Sequence, residues 1–321
     1  MGIRCDWNAE TSMIAPATRT IPGALLHLLV LAASSPATLA QDIEPRAYSN
    51  IPLGVHFLGV GYAHSTGGLS ADPSLPIEGA ELRTDSMLFG YARGIEVGGQ
   101  SGKVDVALPY AWLEGTAEVA GEPQRRRVSG FGDPRIRISW NLLGAPALTL
   151  PEFASYRQET IVGVSLQASL PLGQYDESRV VNLGSNRWWL KPELGMSHVE
   201  GPWTFELAGS ATIFGENSDF LGGQSREQDP IYSLQGGVVY GFARGVWVAL
   251  HGNYYTGGRT RVDGVEGDDL QQNSALRLTA AWPLNARDSV KFFVSTGVST
   301  RTGTDFDTVS IAWQRRWGGG L

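Results

Sequence analysis

The sequence predicts an all-β fold, an antiparallel transmembrane β-barrel of about twelve strands with short periplasmic turns and long extracellular loops. Three observations predict it. Apolar and polar side chains alternate with a period of two, the connections alternate between tight and long, and aromatic residues gather at strand ends. A barrel in lipid needs the alternation, because each strand turns one face to lipid and the other to the lumen. Residues 135–142 show it most clearly: Ile136, Ile138, Trp140 and Leu142 fall on one face, Arg135, Arg137, Ser139 and Asn141 on the other.

The chain opens with a segment that reads as an export signal. Arg19 supplies positive charge, residues 21–33 form an apolar stretch, and Thr38-Leu39-Ala40 gives a small-residue cleavage site before Gln41. The stretch falls short of the roughly 20 apolar residues that a spanning helix needs. Residues 1–40 are therefore expected to be a removed signal peptide, with Met13 as an alternative start. Cys5, the single cysteine, lies upstream of the cut, which excludes disulfides and thiolate metal sites from the mature chain. No later apolar run is long enough for a membrane helix. The net charge of −7 leaves no footprint for nucleic acid. No linker divides the rest, so 41–52 is expected as an N-terminal periplasmic segment and 53–321 as one barrel.

The first strand is expected near 53–64 and the second near 82–96. In the third, near 102–118, Val104, Val106, Leu108, Tyr110 and Trp112 alternate with Lys103, Asp105, Ala107, Pro109 and Ala111. The fourth, near 131–143, holds the pattern already described. Strands near 159–172, 186–198, 202–215, 230–242 and 245–257 follow. In the tenth, near 271–284, Leu276, Leu278, Ala280 and Trp282 alternate with Arg277, Thr279 and Ala281. In the eleventh, near 289–301, Val290, Phe292, Val294 and Val298 alternate with Lys291, Phe293, Ser295 and Ser299, and the last runs near 304–318. Several glycines lie inside strands, among them Gly163, Gly195, Gly236, Gly237 and Gly297; they fit bulges or close approach across the lumen.

Tight links at 199–202, 243–245 and 285–288 alternate with long polar links at 65–80, 119–130, 173–185, 216–229 and 258–270. Outer-membrane barrels keep their short turns on the periplasmic side. One long link, 144–158, falls on that side, as a short helix or a plug. Trp140, Trp203, Trp282 and Trp317 sit near the short turns, while Trp112, Trp188, Tyr232 and Tyr254 sit at the opposite ends. Two such rings match interfacial girdles, a feature that a soluble sandwich with the same alternation lacks.

Inward parity places Lys103, Asp105, Arg135, Arg137, Lys191, Glu193, Glu206, His251, Asn253, Arg277, Lys291 and Arg316 in the lumen. Lipid exposure would cost about 2–4 kcal/mol for each midplane Lys or Arg. Two readings of the set stay open: a filter of mixed sign, or a paired network that braces a narrow barrel. His251 and Asn253 share one face, yet no Gly-x-Ser-x-Gly elbow accompanies them, so no catalytic residue is assigned. His56, His64 and His198 lack metal-ligand spacing, and neither metal nor cofactor is implied. The acidic run at 263–269 lacks the ligand spacing of a calcium loop and reads as a solvated loop. Arg125-Arg126-Arg127 is a candidate contact for anionic lipopolysaccharide.

Six segments carry a resemblance: Glu44-Pro-Arg-Ala-Tyr-Ser-Asn50, Gly130-Phe-Gly-Asp-Pro-Arg135, Leu170-Pro-Leu-Gly-Gln-Tyr-Asp176, Leu183-Gly-Ser-Asn-Arg-Trp-Trp-Leu-Lys-Pro-Glu-Leu-Gly195, Tyr255-Thr-Gly-Gly258 and Ser295-Thr-Gly-Val-Ser-Thr-Arg-Thr-Gly303. Together they resemble the bacterial family named for a MetA pathway of phenol degradation. The resemblance implies a barrel in the bacterial outer membrane, a passive channel or transporter for small molecules, including aromatic or hydrophobic compounds. It implies no enzyme activity. Its expected partners are outer-membrane lipid and lipopolysaccharide, the barrel assembly machinery and a small-molecule solute. A membrane-embedded hydrolase and a structural or adhesive barrel remain as rivals. The C-terminus departs from the usual terminal aromatic: it runs Trp317-Gly-Gly-Gly-Leu321, with Leu321 in lipid-facing parity.

Overall fold

The computed structural model describes residues 44–70, 77–119, 121–179 and 181–321. The expected signal peptide lies outside the described residues, as do 41–43. In chain order the strands are β1 (Val55–Ser70), β2 (Ile77–Val97), β3 (Gln100–Val119), β4 (Glu122–Phe131), β5 (Arg135–Leu143), β6 (Thr160–Ser169), β7 (Trp189–Glu200), β8 (Trp203–Phe214), β9 (Asn217–Phe220), β10 (Gln224–Gln228), β11 (Ile231–Gly241), β12 (Trp247–Gly257), β13 (Thr260–Val262), β14 (Val265–Glu266), β15 (Gln271–Pro283), β16 (Asp288–Thr300) and β17 (Gly303–Gly318).

Thirteen of these strands form one antiparallel sheet. It closes on itself, because β1 pairs with β17 along both strands, from Val55↔Gly318 to Ser70↔Gly303. Its strands β4 and β5 share one place beside β3, with Tyr110↔Phe131 ending one ladder and Ala107↔Arg135 starting the other, so the wall has twelve positions. Gly132-Asp133-Pro134 makes the break between them, where proline offers no N–H to a ladder.

Alternation builds the wall. Along β7, Trp189, Lys191, Gly195 and Ser197 are buried inside, while Pro192, Leu194, Met196 and His198 are exposed. Ile136, Ile138, Trp140 and Leu142 of β5 are likewise exposed, as the sequence predicts. The girdle tryptophans Trp112, Trp140, Trp188, Trp203, Trp282 and Trp317 all point outward. Two of them show local contacts that fix the ring. Trp140 Nε1 donates to Val97 O (3.0 Å), and Trp203 packs edge-on to Tyr240 at 4.7 Å. The tight turn between β2 and β3 uses Gly98 and Gly99 at φ +59° and +76°, the left-handed pair that matches strand twist.

The wall is uneven in height. β2 has 21 residues and β6 has 10. At about 3.3 Å per residue and a tilt near 40°, β2 rises roughly 50 Å, well past an apolar band of about 25 Å.

Three expectations are corrected and one open choice is settled. The long polar links at 216–229 and 258–270, including the run at 263–269 expected as a solvated loop, are not merely loops: β9, β10, β13 and β14 form a second sheet from them. Most of the link at 119–130 is β4, whose Arg127 Nε pairs with Glu114 at 2.8 Å. Of the two forms expected for the link at 144–158, the structure shows the short helix, α1 (Leu150–Phe153). Glu152 caps it by accepting from Thr149 N and Oγ1 at 2.8 and 2.7 Å. Finally, Gly318, Gly319 and Gly320 all take positive φ, so Leu321 turns back with its N–H on Gly318 O instead of continuing the strand.

Candidate functional site in the lumen

The lumen has two halves. At the short-turn end the sequence placed 41–52 below the barrel, yet Glu44–Asn50 run inside it. Glu44 pairs with Arg137, whose Nε also meets Asp105 at 3.0 Å, and Lys103 lies 3.8 Å from Asp105. Glu206 accepts the Arg46 backbone N–H with both oxygens, at 2.9 and 3.0 Å, and holds His251 Nε2 at 2.8 Å. Tyr48 donates to Glu193 at 2.9 Å, and Lys191 sits 3.6 Å from the same carboxylate. Ser197 Oγ donates to the Tyr48 carbonyl at 2.6 Å, and Asn50 Nδ2 donates to Pro146 O at 3.1 Å. Trp247 faces both Arg46 and Lys291, at 5.9 and 5.8 Å from its ring centre.

Wall glycines make room for this segment. A Cβ on Gly195 would fall 2.1 Å from the Tyr48 ring, and one on Gly163 would fall 2.6 Å from it. Gly237 leaves the same kind of space for His251, with 2.1 Å to its ring. These are the close approaches that the interior glycines foreshadowed.

At the long-loop end the lumen holds a cavity of about 350 Å³. Apolar and aromatic walls come from Leu88, Leu113, Trp189, Phe214, Tyr255 and Phe293. The polar groups include four arginines, Arg135, Arg187, Arg226 and Arg277. Three of them lie over phenylalanine rings: Arg187 on Phe214 at 4.6 Å, Arg226 on Phe220 at 5.0 Å and Arg277 on Phe293 at 4.3 Å. Arg226 and Gln228 come from β10, and Arg187 from the loop before β7, so inturned loops complete this cavity.

That loop is latched at the strand break. Asp133 Oδ1 accepts from Gly173 N at 2.9 Å, and Oδ2 accepts from Ser185 N and Oγ at 2.7 and 2.6 Å. Backbones stack so tightly here that a Cβ on Gly173 would fall 2.6 Å from the Gly132 carbonyl carbon. Three of the segments that carry the family resemblance therefore meet at one carboxylate.

The predicted lumen residues fall into two groups, and Arg316 belongs to neither: it is exposed at the end of β17, its Nε donating to Ala286 O at 2.8 Å. Lys103, Asp105, Arg137, Lys191, Glu193, Glu206, His251 and Lys291 surround the N-terminal segment, whereas Arg135, Asn253 and Arg277 line the outer cavity. Arg187 and Arg226 were missed. Arg187 shares parity with Lys191, which was the available signal; Arg226 lies in the long polar link at 216–229, which carries no strand parity. Burial, reinforced by the Arg226 charge, pulls Arg187 down to about 9, and burial also lowers Arg226, with Asp269 acting against it. The carboxylates of the acidic run have protein partners: Glu266 meets Arg259 and Arg261, and Asp269 accepts from Thr260.

Known proteins share this architecture. The COG4313 outer membrane channel from Pseudomonas putida F1 aligns with TM-score 0.74 and 21% identity, over 86% of this chain and 100% of that one. The transport unit of the autotransporter AIDA-I from Escherichia coli aligns with TM-score 0.52 and 8% identity, over 91% of this chain and 97% of that one. Both are likenesses of fold. No curated protein matches the chain. A family profile matches residues 65–313, most of the sequence and the whole barrel wall from within β1 to within β17; the chain belongs to the family described as "Putative MetA-pathway of phenol degradation".

Proposed function

We propose that this chain is a passive channel of the bacterial outer membrane for small molecules, with aromatic and other hydrophobic compounds among its solutes. The observation that carries the reading is a closed barrel, apolar on its outer surface, around a cavity of about 350 Å³ with aromatic walls. The family name is consistent with aromatic solutes. The protein contributes shape and lining. His251 holds Glu206 through Nε2, and its Nδ1 meets no hydrogen-bond partner among the described residues. Outer-membrane lipid surrounds the apolar belt, and Arg125 and Arg127, both paired with Glu114, stand on the outer hairpin as contacts for lipopolysaccharide. Residues 1–40 act as the removed export signal. N-terminal sequencing of membrane-extracted protein should then start at or near Gln41, and an intact 13–40 segment would reject that part.

Planar-bilayer recording tests the channel. Discrete conductance steps that an aromatic solute blocks are expected. A folded barrel without steps would reject the reading.

A further inference from the structure

The outer cavity holds one buried arginine, Arg187, whose charge no described carboxylate balances. Its lining has four arginines and, among the described residues, one carboxylate, Asp133. Both Asp133 oxygens already accept hydrogen bonds from the latch loop. Asp269 offsets part of the Arg226 charge. Arg187 is different. It is 6% exposed, bonds to the neutral amide of Gln228, and meets no carboxylate among the described residues. Its Nη1 is buried without a hydrogen-bond partner. A buried guanidinium donor without an acceptor is costly, and a bound anion would satisfy it.

The surroundings narrow the class of anion. Phe214 lies under the Arg187 guanidinium, and Trp189, Tyr255 and Phe293 line the same cavity. A planar guanidinium fork suits a carboxylate, and aromatic walls suit a flat ring. A neutral hydrocarbon would leave Nη1 unpaired, and a small inorganic anion would leave the walls unused.

We infer that the outer cavity binds an aromatic carboxylate, its ring against the aromatic walls and its carboxylate on the free edge of Arg187. This rests on the channel reading and names the solute class for it. The lowered proton affinity of Arg187 is the signature expected of an unbalanced buried cation, which such a ligand would restore.

Titration calorimetry on the detergent-folded full barrel tests it with three probes: benzoate, benzyl alcohol and acetate. Benzoate should bind at least tenfold more tightly than the other two. Arg187→Gln should lower benzoate affinity at least tenfold, with Arg187→Lys in between, because lysine keeps the charge and loses the fork. Equal binding of benzyl alcohol would overturn the inference in favour of a neutral ligand. Equal binding of acetate would reduce the cavity to a general anion site. No binding by any probe, or unchanged benzoate affinity in Arg187→Gln, would also overturn it. Should Arg187→Gln fail to fold, the three-probe comparison on the unaltered protein decides alone. Bilayer recording separates the two readings. Conductance without benzoate binding or block removes the ligand and keeps the channel; benzoate binding to a silent barrel removes the channel and keeps the ligand.

Discussion

In the short-turn half of the lumen each carboxylate around the inserted segment has a cation or donor. Glu44 has Arg137, Asp105 has Arg137 and Lys103, Glu193 has Tyr48 and Lys191, and Glu206 has Arg46 N and His251. The space left beside Tyr48 and Glu206 is about 20 Å³, close to the room that one water needs. In the long-loop half, four arginines face one lining carboxylate around about 350 Å³. Similar residue types thus serve two ends. Paired charges leave little space in one half, whereas in the other the buried guanidinium of Arg187 borders an open cavity.

The contrast can be broken most directly by emptying the filled half. Deleting residues 44–50 should raise single-channel conductance several-fold, read in bilayers against the full barrel refolded in the same detergent. Equal conductance would mean that the segment does not limit the path. Next comes Gly195→Val. Its Cβ would sit 2.1 Å from the Tyr48 ring, so it should destabilise the barrel by about 1–3 kcal/mol in urea unfolding. The cost should vanish in the 44–50 deletion, because the clash partner is gone; a cost that persists would locate the damage in the wall instead. Tyr48→Phe removes one hydrogen bond to Glu193, which keeps Lys191 as a partner, so about 1 kcal/mol is expected in the same assay. The smallest effect is electrical. Lys191→Gln leaves Glu193 unmatched and should shift reversal potential across a salt gradient toward cations, by more in the segment-deleted barrel than in the intact one. No shift in either would place this pair off the conducting path.

Much of the wall was legible because lipid imposes one rule on every strand. Ile136 and Ile138 cannot share a face with Arg137, and that local fact fixes the parity of β5 without knowledge of any partner strand. The same rule found Lys191 and Glu193. It could not find the lumen contents. Tyr48 meets Gly195 and Glu193 across the whole barrel, and nothing near residue 48 signals that contact; only the glycines at 163 and 195 hinted at an occupant. Arg226 escaped for a different reason. A polar, glycine-rich link has no lipid face and so no parity, and its contacts are with a loop distant in sequence, Asn217 meeting Tyr175 and Asn186.

The β1–β17 seam has a consequence for how the molecule is made. Its two strands lie at opposite ends of the barrel sequence, so their pairing must wait for the last strand to be delivered. The inserted segment immediately precedes β1, while its anchors Arg137, Glu193, Glu206 and His251 belong to strands made in the interval. Contacts this distant in sequence carry the largest loop-closure cost and form slowly. A segment whose chain leads straight into the seam is most simply enclosed as the wall shuts around it, with no need to thread a finished barrel. The strands that carry these anchors precede β17 in the chain, so they are present before the seam can close.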